Sequence, residues 1–226
     1  MHGPSLRALL LDLYGTLVWA DWPALRAGRA ALARLVGVDE ALMLEQWRRT
    51  HRERMLGAYD GLEGDLAEVL RGCGVSLPPE RLGELAHLEY ENWARGVHLY
   101  EDTVPQLQRL RQAGYRLAIV SNSSREAAAV VDALGLGRLV DAVVVSWQVG
   151  SLKPEAAILQ VALDRLGAAP GQALLVDDDP VNLDAARSLG LATVLMVRQG
   201  GPPDHSPHPS ARTLADLWPL LQAPGG

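Results

Sequence analysis

The sequence contains no phenylalanine and a single cysteine in 226 residues. Leucine and valine must therefore fill the core, and Cys73 has no partner for an internal disulfide, which fits a reducing compartment. An excess of positive charge is also missing. Lys and Arg number 21 against 27 Asp and Glu, for a formal net charge of −6, and the two signs are interspersed. Nothing resembles the basic stripe that tracks a phosphate backbone, so a nucleic-acid partner is excluded. Long apolar runs are absent too. The first, Ala8–Leu11, stops at Asp12, far short of a signal-peptide core or a membrane span. The expectation is a cytoplasmic protein with no membrane partner; its oligomeric state is left open.

What is present is an ordinary globular composition, 48% hydrophobic and 21% charged. Four short runs without polar alternation read as buried parallel strands: Ala8–Leu11, Leu117–Val120, Ala142–Val145 and Ala173–Val176. A fifth, Ala192–Val197, follows. Helical patterns lie between them: Val104–Ala113, Arg125–Leu134, Glu155–Leu166 and Pro180–Leu189, each followed closely by glycine. This alternation predicts an α/β fold, a doubly wound Rossmann-like parallel sheet. From about Val18 to Leu99 the rhythm breaks into helical segments with no convincing strand. The expected organisation is a core of residues 1–17 and 100–226 with an inserted helical cap of residues 18–99. The Gly/Pro-rich tail near 200–210 reads as a loop before a short closing helix near Leu214–Leu221.

Polar residues recur where the inferred strands end, and open α/β sheets build their sites beyond that edge. The first strand runs into Asp12-Leu13-Tyr14-Gly15-Thr16-Leu17, the second into Ser121-Asn122 and the fourth into Asp177-Asp178-Asp179-Pro180-Val181-Asn182; Lys153-Pro154 follows the third. Three carboxylates facing Asp12 in a partly desolvated cleft must either hold protons or share a cation. Oxygen donors without His or Cys suit Mg²⁺. With Lys153 as a cation and Ser121 as a short donor, the cluster fits a small anionic substrate with several acceptor oxygens, such as a phosphate.

In order and placement, these four groups resemble the four motifs of haloacid-dehalogenase-like hydrolases, and the resemblance spans essentially the whole chain, with the inserted helices as the cap. It implies that Asp12 is a nucleophile forming a covalent ester that water then hydrolyses. For the family's phosphatases it also implies Mg²⁺ held by Asp12, the Tyr14 carbonyl and Asp178, with Asp177 as a further ligand. Lys153 and Ser121 would orient and neutralise the transferring group, with Thr16, Asn122 and Asn182 expected at the substrate.

One position departs from the phosphatase pattern. Most of the family's phosphatases carry a second aspartate where this chain has Tyr14, and that aspartate protonates the leaving group. A phenol, of pKa roughly 10, is poorly suited to that task near pH 7. The Asp-x-Tyr-Gly-Thr form resembles the metal-independent 2-haloacid dehalogenases. The fourth motif points the other way, because the dehalogenases carry serines where Asp177 and Asp178 stand, and they place a tyrosine shortly after the Lys-Pro, where this chain has Ile158 and Leu159. The reading is a Mg²⁺-dependent phosphohydrolase on a small phosphorylated metabolite. A 2-haloacid dehalogenase is the alternative, and a weakly catalytic binding protein a third. Without a motif-one acid, the phosphohydrolase should favour aryl and acyl phosphates, whose leaving groups need little protonation.

Among the remaining residues, Asp179 reads as an N-cap for the helix at Pro180. Arg26 and Arg29 are both candidates for the cap-side arginine of the dehalogenases. Trp19 and Trp22 are expected in cap–core packing rather than in the substrate pocket. His51, His87 and His98 read as structural, and His205 and His208 lack a metal-site context.

Overall fold

In the computed structural model, which describes residues 6–201 and 206–222, the apolar runs form the strands of one sheet. Strands β1 (Ala8–Leu11), β4 (Arg116–Ser121), β5 (Ala142–Val145), β6 (Ala173–Asp177), β7 (Ala192–Met196) and β8 (Ser210–Ala211) lie in the order β5-β4-β1-β6-β7-β8. All of the pairings are parallel. The strands lack polar alternation because both faces of the sheet are covered. Leu9, Leu11, Leu117, Ile119, Leu174 and Val176 enter one core with α6 (Thr103–Gln112), α7 (Glu126–Ala133) and α11 (Leu217–Gln222). Their neighbours Ala8, Leu10, Ala118, Val120, Ala173 and Leu175 point the other way, onto α9 (Ala156–Leu166) and α10 (Pro180–Ser188).

Between β1 and β4 the chain forms α1 (Trp22–Val36), α2 (Glu40–Arg49), α3 (His51–Met55), α4 (Gly61–Gly72) and α5 (Pro79–Gly96). Asp21 and Asp39 cap the first two, accepting from Ala24 N at 3.0 Å and Leu42 N at 2.9 Å. These helices have a core of their own, built on Leu32, Met43, Trp47, Leu66, Val69, Leu70 and Leu85.

Two features differ from the sequence reading. The ends of the cap stretch are not helical: β2 (Val18–Ala20) and β3 (Val97–Leu99) pair antiparallel into a two-stranded neck. The sheet also gains a sixth strand, the two-residue β8, inside the tail read as loop. His208 of that tail is buried, its ring 2.9 Å from Thr193 Oγ1, whereas His205 lies outside the described residues. Among the described residues, no helix is long and apolar enough to cross a membrane.

Candidate active site

The sheet order places β1 between β4 and β6, so the chain leaves β1 in one direction and crosses back over it after β5. Ligands bind at such a switch point, beyond the carboxyl ends of the strands. A cavity of about 720 Å³ opens there, and Asp12, Tyr14, Ser121, Asn122, Lys153, Asp177, Asp178 and Asn182 all line it. Of the residues picked from sequence, Thr16 alone is missing. Its side chain is fully buried with Oγ1 unpartnered, so its hydroxyl does not reach the cavity at which it was expected. Thr16 instead contributes a carbonyl, which accepts from Arg198 Nε at 3.0 Å and Nη2 at 2.5 Å.

Lys153 is the electrostatic centre. Its Nζ, almost fully buried, lies 2.5 Å from Asp12 Oδ1 and 2.6 Å from Asp177 Oδ2. Burial opposes the ammonium charge, but the two carboxylates outweigh it and hold the lysine above its usual range. Burial pushes the Asp12 carboxyl up to about 7; Asp177 and Asp178 add to the rise, and Lys153 opposes it. Asp178 is likewise raised, by burial and by Asp177. Three carboxylates against one ammonium leave negative charge uncompensated.

The two asparagines expected at the substrate line the cavity and also position its charged residues. Asn122 clamps the main chain of Lys153, donating to its carbonyl and accepting from its amide, both at 2.7 Å. Asn182 Nδ2 donates to Asp177 Oδ1 at 3.0 Å, and the amide of Asp179 reaches the same oxygen at 2.9 Å. Both oxygens of Asp177 are therefore engaged within the protein, which makes it a holder of Lys153. Asp179 is the N-cap its sequence suggested, accepting from Val181 N at 2.9 Å. Gly15, at φ +75°, lets the turn after β1 approach Asp178; a Cβ there would lie 2.3 Å from Asp178 Oδ2. Tyr14 packs edge-on against Trp93 with ring centroids 5.8 Å apart, and burial pushes its phenol well above the usual range.

The boundary between cap and core holds residues that sequence reasoning missed. Arg54 and Glu126 are fully buried, 72 positions apart, and pair at 3.1 Å; Arg29 joins Glu126 at 3.5 Å and Glu89 at 2.9 Å. Arg29 thus faces inward while Arg26 is exposed. Trp19 and Trp22 are 41% and 59% exposed and line the cavity, against the expected cap–core packing. The reason for Trp19 is local: in the three-residue β2, Val18 takes the inward face and Trp19 the outward one. Arg198, which pairs with Asp102 at 2.8 Å and holds the turn after β1, also carried no sequence signal.

A doubly wound core with this carboxylate–lysine site under a helical cap defines a capped α/β hydrolase. Residues 6–190 match the family model described as haloacid dehalogenase-like hydrolase, and the chain belongs to that family. It is 30% identical over 225 residues to (S)-2-haloacid dehalogenase 4A of Burkholderia cepacia, covering 96% of this chain and 95% of that one. It is also 30% identical to the phosphoserine phosphatase of Thermus thermophilus, covering 96% and 99% of the two chains. Among solved structures, a HAD phosphatase from Thermococcus onnurineus superposes with a TM-score of 0.69 at 26% identity, over 96% of this chain and 98% of the other.

Proposed function

We propose that this hydrolase cleaves small phosphate monoesters with Asp12 as its nucleophile and Mg²⁺ as its cofactor. The observation that carries the reading is the carboxylate of Asp178 beside Asp12, negative charge that Lys153 does not balance. Among the described residues, no three His, Cys, Asp or Glu side chains form a metal-holding group. The proposed ligand set needs only two such side chains, Asp12 and Asp178, completed by the Tyr14 carbonyl. All-oxygen donors with surplus negative charge fit a hard divalent cation. When bound, Mg²⁺ supplies charge neutralisation and polarisation at the phosphoryl oxygens.

The protein groups do the rest. Lys153 holds Asp12 Oδ1, which leaves Oδ2 to attack phosphorus. The phosphorus–oxygen bond to the leaving group breaks as the Asp12–phosphate ester forms. Water then attacks that phosphorus, releasing inorganic phosphate and restoring the carboxylate. Tyr14, its phenol held protonated, is no general base in either step. The leaving group must depart without an acid from motif one, so aryl and acyl phosphates are the favoured substrates.

A second reading, 2-haloacid dehalogenase, has Tyr14 in its favour together with the likeness to the Burkholderia enzyme. A paired assay separates the two: phosphate release from acetyl phosphate with Mg²⁺ or with excess chelator, and halide release from 2-chloropropionate. Phosphate release that needs Mg²⁺, and an at least ten-fold weaker Mg²⁺ activation in Asp178→Ala, are the expected results. Halide release at full rate in chelator would replace this reading with the dehalogenase.

A further inference from the structure

A smaller cavity of about 220 Å³ adjoins the main one and shares Tyr14, Trp22 and Asn122 in its wall. Asp12 lines only the larger cavity, so the shared wall is the route from the reacting atoms into the compartment under the cap. Three of its walls are aromatic. Trp93 meets the Tyr14 ring edge-on at 5.8 Å and the Trp22 ring edge-on at 6.2 Å. Trp22 is more than half exposed on the first turn of α1, where an indole is costly unless something covers it.

Most polar groups of the compartment are already satisfied by one another; the Tyr14 phenol and the His51 imidazole are the exceptions. Arg54 gives its N–H groups to Glu126, Ser124, Thr50 and the Trp47 carbonyl. Arg29 pairs with Glu89 and Glu126 and lies 4.2 Å over the Trp47 ring. Two arginines face two glutamates, so no free cation is left to receive a second anionic group. Ser124 is bonded to Glu126, Ser123 to Ser121, and the Asn122 amide to Lys153. Tyr14 and His51 alone are too few for the several hydroxyls of a sugar, and burying the rest unpaired would be unfavourable. Burial and Arg54 lower the His51 imidazole, which disfavours its charged form. The volume exceeds the roughly 150 Å³ that accepts one benzene ring.

We infer that the leaving group is a phenol of one aromatic ring with no further charged substituent, its ring seated against Tyr14, Trp22 and Trp93. This names the substrate class of the phosphohydrolase reading, on which it rests: monoesters of simple phenols. The chemistry agrees with the place, since a phenolate departs with less need of a proton than an alkoxide does.

The test is calorimetric titration of the full chain, in Mg²⁺, with phenylphosphonate and with methylphosphonate, which share the anionic head. Phenylphosphonate should bind about 3- to 10-fold more tightly, within the range of one aromatic contact. Trp22→Ala should remove most of that preference, and Ala127→Leu, which fills the compartment, should reverse it. Leu35→Ala, exposed at the far end of α1, should keep the wild-type preference. Equal affinity for the two phosphonates, affinity for neither, or a preference untouched by Trp22→Ala would overturn the inference. Because Trp22 is exposed, its replacement spares the core and remains decisive even if Ala127→Leu fails to fold. Phosphate release from acetyl phosphate, which carries no ring, tests the phosphohydrolase reading separately.

Discussion

Replacing Lys153 by methionine keeps an unbranched side chain, one heavy atom shorter, and deletes the charge that two carboxylates share. Asp12 and Asp177 then face each other with no ammonium between them, both almost out of water. Removing one partner of a buried ion pair costs about 3–5 kcal/mol, because the other charge is left unpaired. For a chain of this size that corresponds to a Tm lower by about 6–20 °C. The pH dependence has a definite sign. Lys153 opposes the rise of the Asp12 carboxyl, so losing it lifts Asp12 beyond about 7, and the folded variant keeps a proton that the unfolded chain and the folded wild type have released. Through Asp12 both proteins lose stability alike as pH rises from about 4, the ordinary aspartate value, to about 7; above that only the variant goes on losing it, so its deficit against wild type grows from about 7 upward. Urea titrations of both proteins between pH 4 and 8.5, in chelator so that no divalent cation replaces the lysine, measure this directly. A variant whose deficit is the same at every pH would refute the ion-pair account of Lys153, and one with no deficit would refute its burial as well.

Asp12→Asn should abolish turnover while Tm at pH 8 is kept or raised, since the folded site already favours an uncharged group there; thermal melts and phosphate release on the same sample check it. Tyr14→Asp supplies the missing acid and should raise turnover of alkyl phosphates over aryl phosphates by about 10²- to 10⁴-fold. Equal rates for the two classes in wild type, with chemistry limiting, would show that Tyr14 is no handicap. Asp65 is buried with neither oxygen hydrogen-bonded, 3.9 Å from Arg125, and burial and Glu126 push it up to about 7. The folded state keeps a proton that the unfolded chain loses, so this group lowers stability as pH rises from about 4 to about 7. Asp65→Asn should flatten that slope and add ~1 kcal/mol at pH 8, read from urea titrations.

The core strands were legible because burial on both faces writes itself as unbroken apolar runs, and the helices because glycines close them. Most of the site was legible for a related reason. A residue at the end of a buried parallel strand has its direction set by the sheet, so Asp12, Ser121 and Asp177 converge once the strands are placed. Roles resting on side-chain direction within a turn were not readable, which is why Thr16 was expected at the substrate and lies buried instead. The neck strands are three residues each, too short for alternation to show, and that hid the outward face of Trp19. Arg198 and Thr16 are 182 positions apart, and Arg54 and Glu126 lie on helices of different layers. No local pattern marks such pairs, because tertiary contact alone brings them together.

The neck also bears on how the chain finds its fold. β1 must pair with β4 across 108 residues, from Ala8 to Arg116, a long loop to close. The cap segment carries its own apolar cluster within residues 32–85, built from contacts closer in sequence. Once it forms and Ala20 sits opposite Val97, the path from β1 to β4 runs across the neck. That shortens the loop to about thirty residues and lowers its closure cost by ~1 kcal/mol. The insertion that separates the first two core strands in sequence therefore brings them closer in space, and it favours an order of assembly in which the lid is built before the sheet it covers.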